Sequence, residues 1–185
     1  MIREIVIFGD PVLRKKGALI DEVTDELREL VEDMLETMRE ADGIGLAAPQ
    51  VGVAKQLAVV DVSHDPDCFS YLRVDGLEAG LEDIMPLVFM NPELEYGGEA
   101  DVMSEGCLSF PDIRGDVTRP YELKATLRLL DGRSIVIETD GLLARVIQHE
   151  TDHLNGVLFT ERMSTATRFS LRGKIKRMQR DFGIK

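Results

Sequence analysis

"LLARVIQHETDHLN", residues 142–155, holds two of the chain's three histidines. Asp140 and Gly141 precede it and Gly156 follows, giving a start signal, a helical run and a C-terminal glycine. With ~100° per residue and His149 set at zero, Leu142, His153, Val146, Glu150, Leu143, Leu154 and Ile147 fall within about the next 160°. Ala144, Arg145, Gln148, Thr151, Asp152 and Asn155 occupy the remainder of the circle. His149, His153 and Glu150 therefore lie on the apolar face. A carboxylate buried there costs several kcal/mol unless it is paired or faces a cation. Imidazoles at i and i+4 stand one above the other, so a divalent metal would satisfy both at once. Glu150 would then sit beside the metal as a proton acceptor for water rather than as a ligand. The plainer alternative is a pair of core histidines with satisfied hydrogen bonds. The H-E-x-x-H spacing on the buried face favours the metal.

A catalytic site of this kind usually has three protein ligands and one open position. No histidine follows His153, and Glu161, the nearest downstream acid, lies beyond the expected helix end. Upstream stand His64, in an acidic loop and read as a surface residue, and Cys107, in "EGCLSFPD" (105–112). Cys107 is the better placed. Gly106 allows close backbone approach and Leu108 favours burial, and a thiolate is a strong soft ligand. The competing reading of Cys107 is a small core hydrophobe, which is the reading kept for Cys68.

"GIGLAAPQVG", 43–52, sets small residues around one polar side chain, Gln50. Such a loop exposes backbone amides to a peptide or a tight pocket. Gln50 could donate its side-chain N–H to a developing oxyanion. A dinucleotide-binding loop is the obvious rival, but the sixth position counted from Gly43 is Ala48 and no strand precedes it.

The chain has 185 residues, 44% of them hydrophobic and 30% charged, with net charge −12. That suits one globular domain. No apolar run approaches a membrane span and the N-terminus lacks a signal-peptide pattern. The cysteines do not resemble a disulfide framework. Together these predict a cytoplasmic protein. Asp10 and Pro11 predict one short turn. Thr24 caps a predicted helix bearing Leu27, Leu30, Val31, Met34, Leu35 and Met38, stopped near Gly43. Strands are expected over 56–62, in "PLVFMNPELEY" (86–96) and in "YELKATLRLL" (121–130), the last alternating at Leu123, Ala125, Leu127 and Leu129. Asp131-Gly132 then turns into "RSIVIE" as a hairpin. Residues 63–86 read as an acidic loop, structured in part. The predicted class is α+β: antiparallel β-sheets packed around a central metal-binding helix, with N-terminal and C-terminal helices. In 161–185 eight Lys/Arg face two acids, a net of +6 that leaves −18 on the remainder. This tail reads as a helix with an apolar stripe of Leu171, Ile175, Met178 and Phe182.

"GIGLAAPQ", "EGCLS" and "QHETDH", in this order, resemble the three motifs of bacterial peptide deformylases, and the resemblance spans nearly the whole chain. It implies hydrolysis of the N-formyl group from the initiator methionine of nascent chains, releasing formate. By resemblance, Cys107, His149 and His153 bind one divalent ion, Fe²⁺ in many members, with Zn²⁺ or Ni²⁺ as alternatives. Glu150 is implied as general base and then acid, and Gln50 with the Leu108 backbone N–H as the oxyanion hole. Ile44, Gly45, Gly106 and Arg114 are implied along the substrate backbone. Leu142 and Val146 are expected in the methionine pocket, with Arg145 at its edge, its stem over the pocket and its head in water. Some relatives dock on ribosomes through a C-terminal helix, so the resemblance offers the basic tail a partner in phosphate-rich RNA, whereas its charge alone reads as a solvated helix face. Two rivals remain: a zinc endopeptidase, which leaves "EGCLS" and Gln50 unused, and a non-catalytic metal-stabilised RNA-binding protein, which has no need of a buried Glu150.

Overall fold

The computed structural model describes residues 1–66 and 68–184. Asp67 of the acidic loop and Lys185, the last cation of the tail, lie outside the described residues. Three α-helices run over Asp25–Glu40 (α1), Gly141–Leu154 (α2) and Thr165–Asp181 (α3). Seven strands run over Gly45–Ala47 (β1), Leu57–Val60 (β2), Leu72–Val74 (β3), Leu77–Glu78 (β4), Leu87–Gly106 (β5), Arg114–Arg128 (β6) and Ser134–Asp140 (β7). They join in one sheet of order β1-β2-β5-β6-β7-β3-β4, with every pairing antiparallel.

The caps form as the sequence dictates. The Asp10 carboxylate accepts from Val12 N–H ahead of a single 3₁₀ turn at Pro11–Arg14. The Thr24 hydroxyl accepts from Leu27 N–H at the start of α1. Leu27, Leu30, Val31, Met34 and Met38 are buried on α1, while Leu35 is half-buried. On β6, Leu123, Ala125 and Leu127 point into the core in strict alternation.

β5 and β6 are longer than the sequence suggests. They continue as a hairpin through Gly106↔Arg114, with register shifts between Met90/Glu93 and Gly97/Ala100. Most of residues 96–104 are exposed, so the alternation that reveals a half-buried strand is missing there. The acidic loop contributes the short strands β3 and β4, and its Ser70 does further work. The Ser70 hydroxyl accepts from Leu143 N–H at 3.1 Å and donates to Asp140 O at 2.6 Å. It thereby caps α2 from outside the helix.

α2 lies at the centre. Its apolar face, with Leu143, Ile147 and Leu154 fully buried, packs into a cluster containing Val60, Phe89, Leu123, Leu127 and Ile137. Each such side chain contributes ~1.5–3 kcal/mol through burial. The opposite side is not a solvent face: Ala144, Arg145, Gln148, Thr151 and Asp152 are buried too. A second cluster joins α1 to β1 and β2 through Met34, Met38, Leu46 and Val59. A third gathers Leu13, Phe110, Val117, Phe159, Met163, Leu171 and Met178, with Ile175 packed against it. The tail is therefore a helix seated on the body by its stripe, except that Phe182, just past its end, is 51% exposed.

Candidate active site

The three sequence motifs converge on one cavity of ≈ 440 Å³. β1 with the residue before it and the 3₁₀ turn after it, Ala48–Val51, brings Ile44, Gly45 and Gln50; the end of β5 and the following loop bring Gly106, Cys107 and Leu108; α2 brings Leu142, Val146, His149 and Glu150; Arg114 at the start of β6 completes the wall. Close approach explains two glycines. A Cβ on Gly45 would collide with the Glu150 carboxylate and stand 3.0 Å from Val146 Cγ1. Gly156 adopts φ +73° and its Cβ would meet Arg14 C at 2.8 Å, so the chain leaving α2 fits only as glycine.

The ligand atoms of Cys107, His149 and His153 lie within 4.8 Å of one another, and Cys107 Sγ is 3.2 Å from His153 Nε2. Of the candidate third ligands, His64 is exposed on its loop. Glu161 pairs with Arg14 on the surface. Cys68 is half-buried against the α2 cluster. One sulfur and two imidazole nitrogens are a donor set suited to a divalent transition metal, with room for a non-protein ligand.

Glu105 orients this set and was not singled out in the sequence. Its carboxylate accepts from His149 Nδ1 at 3.0 Å, from Arg119 Nε at 2.7 Å and Nη2 at 3.0 Å, and from Arg145 Nη1 at 2.7 Å. Holding Nδ1–H in this way fixes the tautomer that leaves His149 Nε2 free to ligate. Beyond it, Arg119 Nη1 donates to Asp152 at 2.8 Å, and Asp152 also receives Arg162 Nη2 at 2.6 Å. Two acids and three arginines thus fill the side of α2 that sequence periodicity sets opposite the apolar face. The signal for Glu105 was its place two residues before Cys107, the same phase of an extended strand. The exposed neighbours hid it.

Electrostatics separates the roles. Burial works against the Glu105 carboxylate, but the hydrogen bonds from His149 and Arg119 hold its pKa well below the usual carboxylate range. Burial pushes Glu150 up to about 7, although the charges of His149 and Arg119 oppose the rise. Burial, and then the charge of His149, hold His153 well below the ordinary imidazole value. Burial also opposes charge on His149, yet its hydrogen bonds with Cys107 and Glu105 prevail and push it up to about 10. The surroundings of His149 thus favour positive charge among these donors. Glu150 Oε2 is buried with no hydrogen-bond partner among the described residues, as befits a group kept for water or substrate rather than for structure.

Gln50 is fixed in orientation. Its Oε1 accepts from Ala47 N–H at 2.9 Å, so its Nε2 faces Ser109 Oγ at 3.3 Å and Cys107 Sγ at 3.6 Å. The N-terminal segment steadies both loops: Val6 N–H donates to Gln50 O at 2.8 Å and Phe8 N–H to Ser109 O at 2.9 Å. Arg145 departs from expectation. Its head is not in water but buried against Glu105, Val117 O and Asp101, because the β5–β6 hairpin covers that side of α2.

The family profile described as Polypeptide deformylase matches residues 2–169. A peptide deformylase of Opitutus terrae is 47% identical over 178 residues, covering 95% of this chain and 92% of that protein. One of Methylacidiphilum infernorum is 43% identical over 184 residues, covering 100% and 96%. The crystal structure of a peptide deformylase from Legionella pneumophila superposes with TM-score 0.82 at 32% identity, covering 100% of this chain and 99% of that one. The chain belongs to the peptide deformylase family, metal-dependent hydrolases that remove the N-formyl group from nascent peptides.

Proposed function

We propose that residues 1–185 act as one catalytic domain in which Cys107, His149 and His153 hold one divalent ion, Fe²⁺ in the cell, beside Glu150 as the group that moves the proton. The observation that carries this reading is the convergence of that donor set with an unpartnered buried carboxylate in one cavity. A bound divalent ion supplies Lewis acidity, making water more acidic and drawing electron density from the formyl oxygen. Glu150 accepts the proton of the attacking water and returns it to the departing amine, so the products are formate and a free amino terminus. Gln50 Nε2 and the Leu108 N–H donate to the oxygen that gains charge, and losing one such donor typically costs ~3 kcal/mol.

The substrate backbone runs as an added strand along β1. β1 is an edge strand, paired among the described residues with β2 alone, so the outer polar groups near Ile44 and Gly45 are open to a peptide. Gly106 and Arg114 flank the opposite wall, where Arg114 Nη2 is tethered to Ser104 O at 3.1 Å. The methionine side chain enters beside Leu142 and Val146. Metal analysis of anaerobically purified protein, with turnover of formyl-methionyl and unformylated peptides measured for each ion, tests this reading. Formate release that tracks iron content supports it; cleavage of unformylated peptide would replace it with an endopeptidase.

The basic tail gives a second contact, weak binding to ribosomal RNA from a cytoplasmic enzyme. Among the described residues no helix is long and apolar enough to cross a membrane. α3 buries Leu171 and Met178 and turns Arg168, Arg172 and Lys176 outward, where a groove also holds Arg14 and Phe169. With −18 on residues 1–160, binding must be weak and fall steeply with salt. Truncating the tail would remove part of a core. The cleaner test is reversal of Arg168, Arg172 and Lys176 to Glu, scored by ribosome pelleting at low salt. Unchanged pelleting rejects the contact.

A further inference from the structure

We propose that Arg145 is a specificity-determining residue: its clamped guanidinium closes the β5 side of the side-chain cavity and sets the greatest length of first residue the enzyme accepts. This rests on the deformylase reading of the cavity.

Leu142, Val146 and His149 lie at three- and four-residue spacings and line the cavity from its outer part to the metal donors. Arg145 also lines it, yet is only 5% exposed. Its side chain reaches from α2 to β5. Nη1 donates to Glu105 Oε1 at 2.7 Å and to Val117 O at 3.1 Å. Nη2 donates to Asp101 O at 3.1 Å and Asp101 Oδ2 at 3.3 Å. Four acceptors on two strands therefore hold one planar group. Asp101, Met103 and Glu105 alternate onto one face of β5, and Arg145 joins the outer two. Met103, between them, lines the same cavity.

A guest side chain extending past Val146 toward β5 thus meets a wall that cannot swing aside. Moving it would take the guanidinium of Arg145, whose side chain is 6% exposed, away from its acceptors on Glu105, Val117 and Asp101, and a buried charge left unpaired is costly. An aliphatic residue at this position would leave the space closed only by side chains free to change rotamer. The methylene stem of Arg145 gives the guest an apolar surface, while its head fixes the depth. The consequence is selection by length, which an apolar pocket without a fixed end does not provide.

The experiment is a length series of formylated tripeptides whose first residue is methionine or its S-propyl and S-pentyl homologues. kcat/KM is compared for wild type, Arg145→Ala and Asp101→Ala, and metal content is measured on each preparation. Calorimetric affinity for the deformylated products gives a readout independent of turnover. In wild type, each added methylene should lower kcat/KM ~10-fold or more, the scale set by one methylene in a fitted pocket. In Arg145→Ala the fall from methionine to S-propyl should vanish in both kcat/KM and product affinity. Asp101→Ala, which loosens the wall without touching Glu105, should flatten the series in part. If either variant lowers all three substrates by the same factor, Arg145 is merely structural and the proposal is overturned. If wild type itself takes the S-pentyl homologue as well as methionine, the wall does not exist. Failure of wild type to release formate from the methionine peptide would reject the deformylase reading instead.

Discussion

Replacing Glu105 by glutamine changes one atom in a site that four N–H donors share. Arg119 Nε and Nη2, Arg145 Nη1 and His149 Nδ1 all point at its two oxygens within 3.0 Å. An amide nitrogen there would present hydrogens to donors and leave Arg119, 3% exposed, with only Asp152 as a buried counter-charge. Removing one partner of a buried ion pair typically costs ~3–5 kcal/mol, a large share of the ~5–15 kcal/mol that holds a domain together. For a chain of this length each kcal/mol moves Tm by ~2–4 °C, so the midpoint should fall by ~6–20 °C. His149 also loses the acceptor that fixes its tautomer, and such a loss typically weakens metal binding by ~10–100-fold. Thermal unfolding by circular dichroism and a chelator competition titration read the two effects separately. A midpoint within about 2 °C of wild type, a change of at most ~1 kcal/mol, together with unchanged metal affinity, would refute the claim that Glu105 organises the site.

The same carboxylate sets an acid limit. Its folded pKa lies below its unfolded value, so its stabilisation is fully present above the unfolded value and is lost as pH falls through the folded one. The stability gap between wild type and Glu105→Gln should therefore narrow on acidification, and urea titrations at neutral and acid pH will show it. Cys107→Ser should lose most of its metal and turnover while Cys68→Ser keeps both. Equal metal content in wild type and Cys107→Ser would remove Cys107 from the ligand set. Gly45→Ala should retain metal but cut turnover by at least ~100-fold, the lower end for a displaced acid–base group, since its methyl would occupy the space of the Glu150 carboxylate. A fully active Gly45→Ala would mean that Glu150 yields without loss.

What the sequence disclosed followed from local rules. Helical spacing put His149, His153 and Glu150 on one buried face, and caps at Asp10 and Thr24 marked where chain direction changes. Alternation marked the inner part of β6, where one face meets the core. The outer β5–β6 hairpin was illegible because most of residues 96–104 are exposed and Gly97 and Gly98 break the pattern. The role of Glu105 depended on that hairpin folding back over α2, as did the burial of Arg145. Periodicity assigns a helix one covered face, and it cannot register a second face covered by residues forty positions upstream. The trans cap from Ser70 was hidden for the same reason: its partners, Asp140 and Leu143, lie seventy residues away. Cys107 was placed in the ligand set by the family resemblance; burial and a neighbouring glycine alone left it open to a structural reading.

Formate release by matched iron-loaded wild type and Glu150→Gln is the most direct test of the account. Both should carry the same iron, because Glu150 belongs to none of the three ligand positions. Wild type should release one formate for each formyl-methionyl peptide consumed, leaving a free amino terminus. Glu150→Gln should do so ~10²–10⁴-fold more slowly, the usual contribution of a positioned acid–base group. Formate release by Glu150→Gln at the wild-type rate, or loss of iron from a folded Glu150→Gln, would contradict the assignment of Glu150 as the proton carrier at a Cys107, His149 and His153 metal centre.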